Sequence, residues 1–273
     1  MNIDTLILSG GGNKCSSFLG SLKYLIDHKI IDFKKINKII GVSGGMVYII
    51  PLLLGYSIDE TIKIFLNTNP KNLLNYDQFS IQNLINHYGI FENNLMKYYC
   101  NIFEKYKQYN EINLKELYQL SKIELIGKVV NVTKNRIEYI SYQSHPNLKL
   151  SLLIQMTTCI PIIFQPILYK KNYYVDGGLC GNFPHEINQS KNYLGLNIFH
   201  SGKNEIQNIY DYLLSIKKLI GRNQIDEKNK KIIHFKIDIH ILDLDLSIDQ
   251  KKNIIKEGYS QTRNHFNNRF NKI

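Results

Sequence analysis

The chain has 273 residues, of which 44% are hydrophobic and 21% charged, and a formal net charge of +11. Those proportions exclude disorder over most of its length and supply apolar material for one large core or two small ones. Alanine and tryptophan are absent while Ile (43), Asn (31) and Lys (30) abound; this skew reads as AT-rich coding, and it takes weight from the charge as a functional signal.

Residues 5–9 are an apolar run closing on Gly10-Gly11-Gly12, expected to be a buried strand entering a tight loop. Phe18, Leu19, Leu22, Leu25 and Ile26 recur at helical spacing and predict a helix over residues 15–28. Residues 36–41 read as a second strand, closing on Gly41-Val42-Ser43-Gly44-Gly45, with an apolar helix over 44–54. This alternation is that of an α/β fold, a parallel sheet covered by helices. Ser57 and Glu60 have capping-box spacing. Residues 67–120 read as mainly helical, with Leu95, Tyr98, Tyr99, Ile102, Phe103 and Tyr106 in one apolar stripe. Strands are expected over 124–132 and 136–142, and a short helix over 151–156. Further strands over 162–169 and 173–175 lead into Asp176-Gly177-Gly178. A buried strand over 193–199, an amphipathic helix over 206–220, a strand over 232–242 and a polar helix capped by Ser247 complete the reading. No linker or repeat divides the chain. Residues 1–200 form the expected core, and 201–273 a C-terminal strand and helices packed on the same domain.

The N-terminus has no secretory signal pattern. The longest apolar run, 46–54, is interrupted by Pro51 and falls far short of the ~20 residues that span a bilayer. Cys15, Cys100, Cys159 and Cys180 lack metal-site spacing and are expected as reduced thiols; the sequons at Asn131 and Asn188 are then chance. A cytoplasmic protein is expected. Paired lysines recur at 34–35, 170–171, 217–218, 230–231 and 251–252. They are solvated faces or a means of peripheral attraction to an anionic membrane, worth ~1 kcal/mol per basic residue at the surface. No nucleic-acid motif accompanies them, so no nucleic-acid partner is expected.

Three segments can carry chemistry. Ser9-Gly10-Gly11-Gly12-Asn13-Lys14 sits between strand and helix, where backbone N–H groups meet anions. It is neither a dinucleotide fingerprint, since Cys15 holds the third glycine position, nor a phosphate loop, since Lys14 follows Asn13. Ser43 occupies a G-x-S-x-G strand-to-helix turn, the setting of a nucleophile. A serine needs a base. Of the eight histidines, only His185 and His200 fall near predicted strand ends. Asp176 closes a buried strand and is followed by two glycines, either facing a crevice or turning an Asp-Gly hairpin.

Together these segments resemble the patatin-like phospholipases. Gly10-Gly11-Gly12-Asn13-Lys14 is similar to that family's G-G-G-x-[RK] loop, Gly41-Val42-Ser43-Gly44-Gly45 to its elbow, and Asp176-Gly177-Gly178 to its D-G-[GA] motif. Asn182-x-Pro184 also matches, and residues 157–164 resemble an A-S-x-x-x-P-x-x-F segment at Pro161 and Phe164. The resemblance covers residues 4–200. It implies a three-layer α/β/α fold with a mostly parallel central sheet, and a phospholipase A-type lipid acyl hydrolase acting on phospholipids or other acyl lipids. It further implies a Ser43–Asp176 dyad working through an acyl-enzyme, an oxyanion hole from Gly11, Gly12 and Asn13, and support from Gly10, Lys14, Gly41, Gly44, Gly45, Gly177 and Gly178. No cofactor or metal is implied, and no carboxylate cluster has calcium-loop spacing. Cys15 stands where a glycine is usual, and Thr157-Thr158 where Ala-Ser is usual. Acyl transfer or triacylglycerol hydrolysis on the same dyad, a non-catalytic lipid- or protein-binding module, and a Ser-His-Asp esterase using His185 or His200 remain alternatives.

Overall fold

Short, almost wholly apolar strands run parallel through the centre of the molecule, which is what burial on both faces demands. The computed structural model describes residues 2–68, 81–93, 111–199, 215, 229–239, 243 and 245–270. Among these the strands are β1 (Thr5–Leu8), β2 (Lys38–Gly41), β3 (Gly89–Phe91), β4 (Glu124–Asn131), β5 (Arg136–Ile140), β6 (Ile162–Phe164), β7 (Ile167–Tyr169), β8 (Asn172–Asp176), β9 (Tyr193–Ile198) and β10 (Ile232–Phe235). The main sheet has the order β10-β9-β1-β2-β4-β8-β7, with β5 paired to β4; β3 and β6 form a separate parallel pair. β10, β9, β1, β2 and β4 are mutually parallel, and β5 and β8 are antiparallel to β4. The mostly parallel central sheet expected from the alternation is therefore present.

Strand alternation sends successive side chains to opposite faces. Leu6, Leu8, Ile39, Leu125 and Val129 join the large core under the Ser17–Asp27 helix, while Ile7, Ile40 and Ile126 meet Phe183 on the other face. The C-terminal helix, Ile248–Phe270, lies against Ser17–Asp27, and glycines set the separation. A Cβ on Gly20 would sit 1.8 Å from the Ile255 carbonyl oxygen, and one on Gly258 would sit 1.9 Å from that of Ser17. Thr262 Oγ1 donates to Ser21 Oγ at 2.8 Å across the same seam. The capping boxes at Ser57 with Glu60 and at Ser247 with Gln250 both form.

Differences from the expected elements trace to proline and to pairing. The helix expected over 44–54 is two, Gly44–Val47 and Ile50–Leu53, with Pro51 in the first turn of the second, where its missing N–H costs nothing. The strand expected over 162–169 is broken before Pro166 into β6, which pairs with β3, and β7, which pairs with β8. The strand expected from Ile232 ends at Phe235. The apolar stripe within 95–106, the helix expected over 206–220 apart from its helical Ser215, Cys100 and His200 lie outside the described residues. No helix among the described residues is long and apolar enough to cross a membrane.

Candidate active site

Ser43 leaves β2 at φ 53, ψ −134, a positive-φ conformation outside the αL well that costs a non-glycine residue about 1–3 kcal/mol. Its small neighbours are sterically required. A Cβ on Gly44 would lie 2.5 Å from the Gly12 carbonyl oxygen, and one on Gly45 would lie 2.3 Å from that of Ser9. The elbow and the glycine loop therefore touch backbone to backbone. The Ser43 side chain does not cap the helix that follows it.

Asp176 arrives from the opposite direction. On one edge of β4, Gly127 faces Ile140 and Val129 faces Glu138, both in β5; on the other edge Gly127 faces Gly41 and Val129 faces Asp176. β2 and β8 thus lie along the same edge of β4 and run toward each other. Lys128 alone separates their ends, a step of about 7 Å from Gly127 to Val129. Ser43 is two residues past the end of β2, and Asp176 is the last residue of β8. Asp176 is not the hairpin turn its Asp-Gly sequence allowed. Its Oδ1 accepts the Gly178 amide at 2.7 Å and its own amide donates to the Cys159 carbonyl at 2.8 Å, so the carboxylate is held over a 3-10 turn, Gly177–Cys180. Gly177 has no room for a side chain, since a Cβ would lie 2.3 Å from the Lys128 carbonyl oxygen.

Two residues whose roles sequence reasoning missed, Thr157 and Lys128, stitch the gap. Thr157 is fully buried at the end of the Leu150–Thr157 helix; its Oγ1 accepts the Ser43 amide at 2.9 Å and donates to the Lys128 carbonyl at 2.9 Å. The unusual Thr157-Thr158 therefore supplies the hydroxyl that fixes the elbow. Lys128, within the strand expected over 124–132, is also fully buried. Its Nζ donates to the carbonyls of Cys180 and Gly181 at 3.0 Å each and pairs with Glu186 Oε1 at 2.6 Å, which Tyr139 OH also meets. Burial alone would raise the Glu186 pKa, but the Lys128 and Tyr139 hydrogen bonds outweigh it and hold the carboxyl below its ordinary value. The only sequence signal for the pair was a lysine inside an apolar run.

The glycine loop is anchored from three sides. The Gly10 amide donates to the Asn182 carbonyl at 2.9 Å, and Asn182 Nδ2 returns a bond to the Gly10 carbonyl at 2.8 Å. Asn13 is held by Tyr48 OH at 2.9 Å and donates to the Asp243 carbonyl at 2.6 Å, so its side chain is engaged away from its backbone amide. Gly11, Gly12 and Asn13 open the turn Gly12–Ser16, with Lys14 inside it and Gly12 at φ 54. Cys15, in place of the usual glycine, packs inward and donates to the Ser9 carbonyl at 3.4 Å. Burial, and next the charge of Asp176, push the thiols of Cys15 and Cys159 far above their ordinary range, so neither competes as a nucleophile. His185 engages the Phe183 carbonyl and stacks on the Phe183 ring.

The family model for patatin-like phospholipases matches residues 6–188. A probable lipid hydrolase, 463L, of Invertebrate iridescent virus 6 is 30% identical over 184 residues, covering 67% of this chain and 62% of that protein. The uncharacterized protein R571 of Acanthamoeba polyphaga mimivirus is 27% identical over 279 aligned residues, covering 96% and 93%. In solved structures the same fold occurs in VipD from Legionella pneumophila, with a TM-score of 0.63 and 16% identity, covering 98% of this chain and 67% of that one. It recurs in the Pseudomonas aeruginosa effector ExoU, with a TM-score of 0.57 and 11% identity, covering 98% and 53%.

Proposed function

This chain belongs to the patatin-like phospholipase family, and from that premise we propose that it hydrolyses fatty-acyl esters of phospholipids with Ser43 as nucleophile and Asp176 as base. Asp176 takes the Oγ proton as Ser43 bonds to the ester carbonyl carbon. The carbonyl oxygen becomes an oxyanion received by the amides of Gly11, Gly12 and Asn13, where loss of one donor costs about 2.7–4 kcal/mol in comparable sites. Collapse breaks the ester C–O bond, and Asp176 returns its proton to the leaving alkoxide. Water then attacks the acyl-enzyme, gives a proton to Asp176 and releases a fatty acid; the proton returns to Ser43 Oγ.

The observation that carries this reading is the head-on approach of β2 and β8 across Lys128, with Thr157 fixing the Ser43 amide at the gap. Two buried carbonyl-anchored thiols and a histidine turned to Phe183 favour Asp176 over a cysteine nucleophile or a triad using His185. The test is a panel of phospholipids and triacylglycerol incubated with wild type, Ser43→Ala and Asp176→Asn, with and without an alcohol acceptor. Free fatty acid from wild type alone is the expected product. Acyl transfer to the acceptor would redirect the proposal to a transferase. Activity retained in either variant would overturn the dyad.

A further inference from the structure

Beside the candidate site lies an apolar cavity of about 500 Å³, with Phe164 and Val175 in its wall and Tyr88, Val132, Tyr173 and Leu179 around its mouth. These last four side chains are 38–62% exposed, an unusual amount for large apolar groups gathered in one place. Leu168, 59% exposed, extends the patch because it pairs across the hairpin with Tyr173. Two turns hold the patch together. The Tyr173 amide donates to Thr133 Oγ1 at 2.9 Å, the Val132 amide donates to the Tyr173 carbonyl at 2.9 Å, and the Tyr88 ring stands edge-on to Tyr173 at 5.9 Å.

Exposed lysines border this patch. Lys170 and Lys171 form the exposed tip of the β7–β8 hairpin, at φ 47 and 63, and Lys134 is exposed in the β4–β5 turn beside Val132. Glu138, on the opposite face beside Tyr174, is taken by Arg136 at 2.8 Å and Asn131 at 3.0 Å, and the exposed carboxylate nearest in sequence to the cavity wall is Glu92, one residue past β3. Apolar side chains and tyrosines at the centre with lysines at the margin match the two layers of an anionic lipid surface, acyl chains below and phosphates above.

We propose that this face docks the protein on an anionic bilayer, inserting Val132, Leu168, Tyr173 and Leu179 between lipids and setting Lys134, Lys170 and Lys171 against phosphates. Leu179 and Val175 flank Asp176-Gly177-Gly178, so docking here sets the candidate site beside the membrane. The chain contains no tryptophan, so Tyr173→Trp adds a single fluorescent reporter, and Tyr88→Trp is a second should the first fold poorly. Both are made in Ser43→Ala protein, which separates docking from the hydrolysis proposed above. With phosphatidylcholine–phosphatidylserine vesicles the emission should shift to the blue and be quenched by brominated acyl chains. Added salt should weaken the binding. Lys170→Glu with Lys171→Glu should weaken it about tenfold or more, whereas Lys34→Glu with Lys35→Glu, an exposed pair elsewhere, should leave it within about twofold. No shift with vesicles, equal losses from both charge reversals, or a shift with monomeric fatty acid but not with vesicles would each overturn the proposal. The last outcome would make the cavity an acyl-chain site instead.

Discussion

Thr157→Val keeps the shape of a fully buried side chain and removes one hydroxyl. The Ser43 amide then loses its acceptor at 2.9 Å, and the Lys128 carbonyl loses a donor at the same distance. An orphaned buried backbone group costs ~1–3 kcal/mol, and the carbonyl keeps a second lone pair, so the total loss of stability is about 2–4 kcal/mol. The tether also holds Ser43 at φ 53, where strain relaxes once the hydroxyl is gone. If about 1.4–2.8 kcal/mol of that support acts in the transition state, kcat falls about 10- to 100-fold. Thr157→Ser retains the hydroxyl and gives up one methyl, about 0.8 kcal/mol, with activity preserved. Urea unfolding measures the first quantity, and the rates of ester hydrolysis and of Ser43 labelling by a fluorophosphonate measure the second. A Val variant that labels at the wild-type rate, or a Ser variant as impaired as the Val variant, would refute the reasoning.

Glu186 is held below its ordinary pKa of 4.5 by Lys128 and Tyr139, so its contribution to stability is complete above that pH and is lost as pH falls through the lowered value; the acid-side decline in urea midpoint should be shallower in Glu186→Gln than in wild type, and parallel curves would contradict this. Gly20→Ala places a Cβ 1.8 Å from the Ile255 carbonyl oxygen, so the two helices must separate; calorimetry should show a loss of at least about 2 kcal/mol, and a neutral result would mean that the seam shifts at no cost.

Much of this arrangement was legible in residue order. Glycines at 10–12, 41, 44, 45, 177 and 178 marked the tight turns, those at 44, 45 and 177 being places where backbone meets backbone, and each apolar run leading to them is a strand. Ser43 and Asp176 stood out because a polar residue sat at the end of such a run. The meeting of β2 and β8 was not legible, since it depends on which edge of β4 each strand occupies, and periodicity within a strand says nothing about its neighbours. Lys128 was hidden for a related reason. Alternation of apolar and polar residues assigns a lysine to solvent, but Glu186, 58 residues away, and two carbonyls satisfy it in the interior. Thr157 was noticed only as a departure from a familiar pattern, because the hydroxyl's use is apparent only once Ser43 and Lys128 lie on either side of it. The splits at Pro51 and Pro166 were readable in principle, and the apolar runs across them concealed them.

The anchoring of Asn13 has a consequence for the order of events during synthesis. Its side-chain partner, the carbonyl of Asp243, lies 230 residues later in the chain, and the helix seam from Ser21 closes on Thr262, 241 residues later. At about 5–20 residues per second, a ribosome completes that partner roughly 10–50 s after Asn13 emerges. Ser43 and Asp176 both precede it, so the proposed dyad is made before the glycine loop has its full set of anchors. Residues around 243 and 262 thus complete the anchoring of the loop at residues 10–14, and a nascent chain lacks those anchors until they are made.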